Sequence, residues 1–227
     1  MTDNAPFEII DAGRMPYAEA LALQKDLVAA KKNGESRDYL LLVEHPPVIT
    51  LGRTAKESHV LFSTDELKSH GIEVHAIERG GDVTYHAPGQ LVGYPVVDLR
   101  RAGLGVREYL RFLESVIIDV LDTLGIEGFA REGLTGVWTA RGKVAAIGVA
   151  VTRWISFHGF ALNVATDLAG FDSIVPCGIR NERVTSIREI LGAKVSVEDV
   201  KGHIAAAFGK HLAARRNSNI KAPAGSL

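Results

Sequence analysis

The chain has 227 residues, in which 26 Lys and Arg oppose 27 Asp and Glu for a formal net charge of −1. That balance argues against strong non-specific nucleic-acid binding, and a composition 46% hydrophobic and 23% charged argues against disorder. No apolar run is long enough to span a bilayer, Asp3 stands where a secretory signal carries a basic segment, and a single cysteine, Cys177, excludes an internal disulfide or multi-cysteine metal site, so a cytoplasmic setting is expected.

The first helix is predicted over 16–32, where Tyr17, Ala20, Leu21, Gln24, Leu27 and Val28 form a mostly apolar face and Asn33-Gly34 ends it. Residues 39–43 and 48–51 read as two buried strands joined by a turn at His45-Pro46-Pro47, followed by a short helix at 64–69. Three more strands are expected at 72–77, 83–85 and 91–97. The stripe from Val106 through Tyr109, Leu113, Val116, Ile117, Val120 and Leu124 is the most regular in the chain and predicts a helix ended by Gly125. Strand signals return at 137–139, 144–152 and 155–163. A last helix starts near Ser196 with an Asp199 capping signal, and residues 217–227 read as a polar, mobile tail after a single domain over 1–216. Long helices beside some eight strands with short links imply an α/β fold, a mixed sheet flanked by helices.

Familiar chemical signals are missing. The string GVWTARGKV at 136–144 lacks the spacing and the final Ser or Thr of a phosphate loop, and there is no dinucleotide fingerprint, nucleophile elbow or histidine pair at zinc-binding spacing. What stands out is three glycine-bounded segments: RGGDVTYHAPGQ at 79–90, a stretch from Gly136 through Lys143 and Gly148 to HGFALN at 158–163, and Pro176-Cys177-Gly178-Ile179 followed by Thr185-Ser186.

Together with Glu44-His45-Pro46-Pro47 and Thr50-x-Gly52-Arg53, these strings resemble the lipoyl(octanoyl) transferase family, within the biotin and lipoate protein ligase fold. Ala87 stands where the family has a glycine after the histidine. The resemblance implies that Cys177 carries an acyl thioester and that Lys143 activates it. It implies that substrate is lined by Arg79, Gly80, Gly81, Asp82, Val83, Thr84, Tyr85 and His86, by Ala146, Ile147 and Gly148, and by Gly159, Phe160 and Ala161. The family reaction moves octanoyl from the thioester of an acyl carrier protein to a lysine of a lipoyl domain of a 2-oxoacid dehydrogenase, or of the glycine-cleavage H protein. Neither metal nor other cofactor enters it.

The residue types suit that chemistry. A thiol is mostly protonated at neutral pH, and a nearby ammonium favours the nucleophilic thiolate. Acylation removes the negative charge, so the same lysine can then accept the proton of an incoming amine. Each residue also has a plainer reading. Cys177 could be an inert packing residue, Lys143 a solvated hairpin tip and Arg79 a solvated turn, while His45, His86 and His158 suit structural roles and Trp138 and Trp154 suit the core. An ATP-dependent lipoate or biotin ligase of the same fold, or an idle carrier-protein-binding module, are the rival functions. Between 129 and 166, four cations outweigh Glu132, a local excess expected to steer acidic partners.

Overall fold

The computed structural model describes residues 7–175 and 183–221. Its strands form two sheets rather than the one expected. The larger takes β1 (Phe7–Arg14), β2 (Asp38–Glu44), β6 (Gln90–Val96), β9 (Ile155–Asn163), β8 (Gly142–Thr152) and β7 (Val137–Thr139) in that spatial order, with β1 and β2 parallel and the other pairs antiparallel. The smaller sets β3 (Val48–Leu51) between β4 (Glu73–Ala76), to which it is parallel, and β5 (Val83–His86), to which it is antiparallel. The break falls at His45-Pro46-Pro47: prolines cannot donate to a ladder, so the chain leaves the large sheet there and starts the small one.

Both faces of the large sheet are covered, which explains why β2 is a continuous apolar run. Leu40 and Leu42 face α3 (Val106–Thr123) and α5 (Val197–Lys221), whose stripes Tyr109, Phe112, Leu113, Val116, Ile117, Val120 and Val200, Ile204, Phe208, Leu212 close the main core. Leu41 and Val43 face the other way, toward Tyr17 and Ala20 of α1 (Tyr17–Lys32) and Val48 of the small sheet. The small sheet has its own core, where Leu67 of α2 (Thr64–Ser69) meets Ile49, Val83, Tyr85, Ala87 and Ile174. The methyl of Ala87 is absorbed there.

One strand and one α-helix lie outside the expected list. β1 is a weakly patterned strand with Glu8, Asp11 and Gly13 among its apolar residues. The short α4 (Ile187–Leu191) starts at Ser186, whose hydroxyl accepts the Glu189 N–H at 3.2 Å. The helix α5 runs on to Lys221, into the stretch read as a tail. Trp154 is not a core residue: Arg153 and Trp154 both take left-handed backbone (φ 49° and 68°) at the β8–β9 hairpin, and the indole is 40% exposed under the Arg100 guanidinium. Trp138, by contrast, is fully buried.

Candidate active site

A cleft separates the two sheets. Its floor on the large sheet is made of small residues, Ala146 and Gly148 on β8 and Gly159 and Ala161 on β9, with Val92 and Tyr94 of β6 beside them. The opposite wall is Thr50 of β3, Val83, Thr84 and His86 of β5, and the loop residues Ile77, Arg79, Gly81 and Asp82. The sheets meet where the Gly80 N–H bonds the Val149 carbonyl at 2.9 Å. A Cβ on Gly148 would come within 2.9 Å of the Gly80 carbonyl oxygen, so this approach requires glycine.

Buried hydrogen bonds hold the cleft wall. Arg79, only 8% exposed, donates from Nη2 to the Thr50 carbonyl at 2.7 Å and to Thr50 Oγ1 at 2.9 Å. Since that hydroxyl oxygen accepts from the guanidinium, its proton is directed to His86 Nε2 at 3.5 Å. His86 Nδ1–H donates to Gln90 Oε1 at 2.7 Å, Gln90 Nε2 to Asn163 Oδ1 at 2.8 Å, and Asn163 Nδ2 to the Thr185 carbonyl at 3.1 Å. These partners fix one tautomer of His86, and burial pushes its pKa down to about 3, so it is neutral. His45, behind the cleft, is likewise held by burial at about 4; its Nδ1–H donates to the Met15 carbonyl and its Nε2 accepts the Tyr94 hydroxyl proton, both at 2.8 Å.

His158 takes left-handed backbone (φ 55°) in mid-strand, its N–H bonded to Gln24 Oε1 of α1 at 2.8 Å. The ring lines the cleft, and among the described residues neither nitrogen has a hydrogen-bond partner. Burial lowers its pKa to about 4, the nearby Glu78 carboxylate opposing that shift.

Lys143 opens β8 and is 6% exposed, not a solvated hairpin tip. Its ammonium donates to the Thr135 carbonyl at 3.2 Å and lies 4.8 Å from the centre of the Trp138 ring, a cation–π arrangement. A Cβ on Gly136 would fall 2.7 Å from Lys143 Cε, so this glycine makes the room the side chain occupies. The Lys143 backbone is paired with the returning chain, its N–H to the Arg183 carbonyl at 2.8 Å and its carbonyl to the Thr185 N–H at 3.0 Å. On the other flank, the Val175 N–H bonds the His59 carbonyl at 2.8 Å, and His59 Nδ1 sits 2.6 Å from Asp82 of the cleft wall. Cys177 falls in the interval between these two anchors and lies outside the described residues.

Of the substrate-lining residues expected from sequence, Arg79, Gly81, Asp82, Val83, Thr84, His86, Ala146, Ile147, Gly148, Gly159, Phe160 and Ala161 line the cleft together with Lys143. Gly80 stands behind it, in the contact between the sheets. The Tyr85 ring points into the small core, edge-on to Phe171 at 5.5 Å, because successive strand residues face opposite ways. The Phe160 ring likewise packs in the main core, in space left by Gly93. Sequence reasoning left out Tyr17, Thr50, Ile77, Val92 and Tyr94, which also line the cleft. Their spacing on helix and strand is that of core residues, and only the Thr50-x-Gly52-Arg53 string hinted at one of them.

Residues 16–209 match the family described as lipoyl protein ligase A/B catalytic domain. An octanoyltransferase of Syntrophotalea carbinolica is 53% identical over 197 residues, 87% of this chain and 90% of its own. One of Alkaliphilus metalliredigens is 47% identical over 203 residues, 89% of this chain and 93% of its own. Among solved structures, lipoate-protein ligase A bound with ATP has a TM-score of 0.73 at 17% identity, covering 91% of this chain and 85% of that one. The bi-partite lipoate protein ligase of Thermoplasma acidophilum has a TM-score of 0.71 at 19% identity, over 92% and 83%. At such identities the likeness to the ligases is one of fold.

Proposed function

Since the chain belongs to the lipoyl protein ligase A/B catalytic-domain family, and within it to the octanoyltransferases of lipoate biosynthesis, we propose that it transfers octanoyl through a thioester on Cys177 served by Lys143. The observation that carries this reading is the position of Lys143. This lysine, buried at the cleft, is hydrogen-bonded through its backbone to the segment at 183–185 that follows Cys177 in the chain.

In the first half-reaction the Cys177 thiolate attacks the carbonyl carbon of octanoyl pantetheine. The carbon–sulfur bond to pantetheine breaks, the Lys143 ammonium gives its proton to the departing pantetheine thiolate and is left neutral, and octanoyl remains on Cys177. The exchange of one thioester for another costs little free energy, so no nucleotide is needed. In the second, the amine of the acceptor lysine attacks the new thioester, Lys143 takes the amine's proton, the amide forms and the Cys177 thiolate is restored.

The octanoyl chain lies on the small-residue floor of Ala146, Gly148, Gly159 and Ala161, under Val83, Thr84 and His86. Arg79 and neutral His86 hold the wall's shape through Thr50 and Gln90. The donor is octanoyl-acyl carrier protein, and the acceptors are lipoyl domains of 2-oxoacid dehydrogenases and the glycine-cleavage H protein. Among the described residues no helix is long and apolar enough to cross a membrane; we place the reaction in the cytoplasm.

The ATP-dependent ligase alternative draws on the breadth of the family and on likeness of fold, whereas the relatives at 53% and 47% identity are octanoyltransferases, and it gives Cys177 no task. Octanoyl-carrier protein and a lipoyl domain, mixed with the enzyme in nucleotide-free buffer, should yield octanoylated domain. Transfer that appears only on adding ATP would overturn the proposal.

A further inference from the structure

A second concave surface lies next to Lys143, on the helical side of the molecule. Arg107, Glu108, Leu110 and Arg111 of α3, Arg215 of α5, Leu134 and Thr135 line a groove of about 620 Å³. Thr135 is the residue whose carbonyl holds the Lys143 ammonium, and the next N–H, of Gly136, donates to Glu114 Oε1 at 3.0 Å. Arg111 is engaged by the same Glu114 at 2.6 Å, and Glu108 is engaged in capping α3 at the Gly105 N–H. Arg107 and Arg215 are different: both are exposed, and among the described residues neither has a hydrogen-bond or ion-pair partner.

We infer that this groove is the docking surface for the acyl carrier protein that donates octanoyl, with Arg107 and Arg215 meeting the anionic groups of the carrier and of its phosphopantetheine arm. The inference rests on the reading that places the chemistry at Lys143. Two observations favour the donor as occupant. First, free guanidinium groups beside Leu110 and Leu134 suit a partner that presents carboxylates or a phosphate beside an apolar stem. Second, the Arg107 end of the groove is set back from the site: from Glu114, which bonds the loop beside Lys143, to Arg107 is seven residues of helix, about 10 Å at 1.5 Å per residue. A donor whose thioester sits at the end of a long arm needs its docking face at a distance. An acceptor amine on a single lysine side chain has to be brought to the mouth of the cleft itself.

The test compares two donors with one acceptor domain. Octanoyl-carrier protein uses the groove, whereas octanoyl-pantetheine has neither carrier nor phosphate. In the Arg107→Glu/Arg215→Glu enzyme, KM for octanoyl-carrier protein should rise about tenfold with kcat nearly unchanged, since surface charges act mainly on encounter and binding. Kinetics with octanoyl-pantetheine and the KM for the acceptor should stay at wild-type values. The Arg107→Gln/Arg215→Gln enzyme should fall between, and it serves as the readout if charge reversal disturbs the helix ends. An unchanged carrier KM overturns the inference. So does a rise in acceptor KM instead, which would assign the groove to the acceptor, or an equal loss with both donors, which would mean the substitutions act through Lys143. If Cys177→Ala retains transfer, the thioester reading fails on its own, and the comparison of KM values still decides the docking surface.

Discussion

Lys143 holds its ammonium between the Thr135 carbonyl and the face of the Trp138 ring. In the string GVWTARGKV it has the pattern of a hairpin tip, yet the chain returning through Arg183 and Thr185 covers it and Trp138 lies against its ammonium. That covering involves residues forty positions away, which no local pattern reveals. If Lys143 serves both half-reactions, two substitutions should separate its roles. Lys143→Arg keeps a positive charge but supplies no base near neutrality, so it should retain part of the acylation rate and accumulate acyl-enzyme. Lys143→Ala should be slow in both steps, with acylation recovering as pH rises toward the ordinary thiol range. Single-turnover rates for the two steps check this, and an Arg enzyme that transfers at the wild-type rate would reduce Lys143 to an electrostatic support. His86 and Arg79 were also legible as site residues. Their mutual tie through Thr50 was not, because it depends on the antiparallel pairing of β3 and β5. Tyr17 and Tyr94 were illegible for another reason: an aromatic at core spacing looks the same whether it faces packed side chains or a cleft.

At the scale of elements, the alternation within β2 explains how one apolar run serves two layers. Leu40 and Leu42 belong to the helical side, and Leu41 and Val43 to the side of the cleft. Runs of this kind reveal a strand but not which sheet it joins, and the division into two sheets is written in the two prolines after His45. The edges of these elements are joined by Asp38, fully buried at the start of β2. Its carboxylate is 2.6 Å from Lys31 of α1, pairs with Arg216 of α5, lies 3.6 Å from Arg101, and accepts the Asp98 N–H at 3.0 Å. Removing it takes the shared anion away from buried Lys31 and Arg216, so Asp38→Ala should lose about 3–5 kcal/mol of stability in urea denaturation. A loss below 1 kcal/mol would mean that the cations find water instead. β1 carries little local signal because acidic residues and a glycine interrupt its apolar run, and α4 because it has only five residues; both are held by partners distant in sequence, β1 by pairing with β2 and α4 by the Arg188 N–H bonding the Val164 carbonyl at 2.8 Å.

For the molecule as a whole, three buried histidines set the response to acid. His45, His86 and His158 titrate near 4, 3 and 4 in the folded protein because burial disfavours their charged forms. In the unfolded chain they titrate near 6.5. Below that value the unfolded state binds up to three more protons than the folded one, so stability should be level above pH 7 and fall as pH drops from about 6.5 toward 4. Each such proton contributes about 1.4 kcal/mol per pH unit. Urea denaturation across this range checks the slope, and unchanged stability down to pH 4.5 would contradict the neutral, buried state of the three rings. The acyl-enzyme is read out by intact-protein mass after mixing with octanoyl-carrier protein, without acceptor or nucleotide. One octanoyl group should be added, removed by hydroxylamine and absent from Cys177→Ala. An adduct that survives that substitution or resists hydroxylamine, or transfer to the acceptor with no adduct on the enzyme, would contradict it.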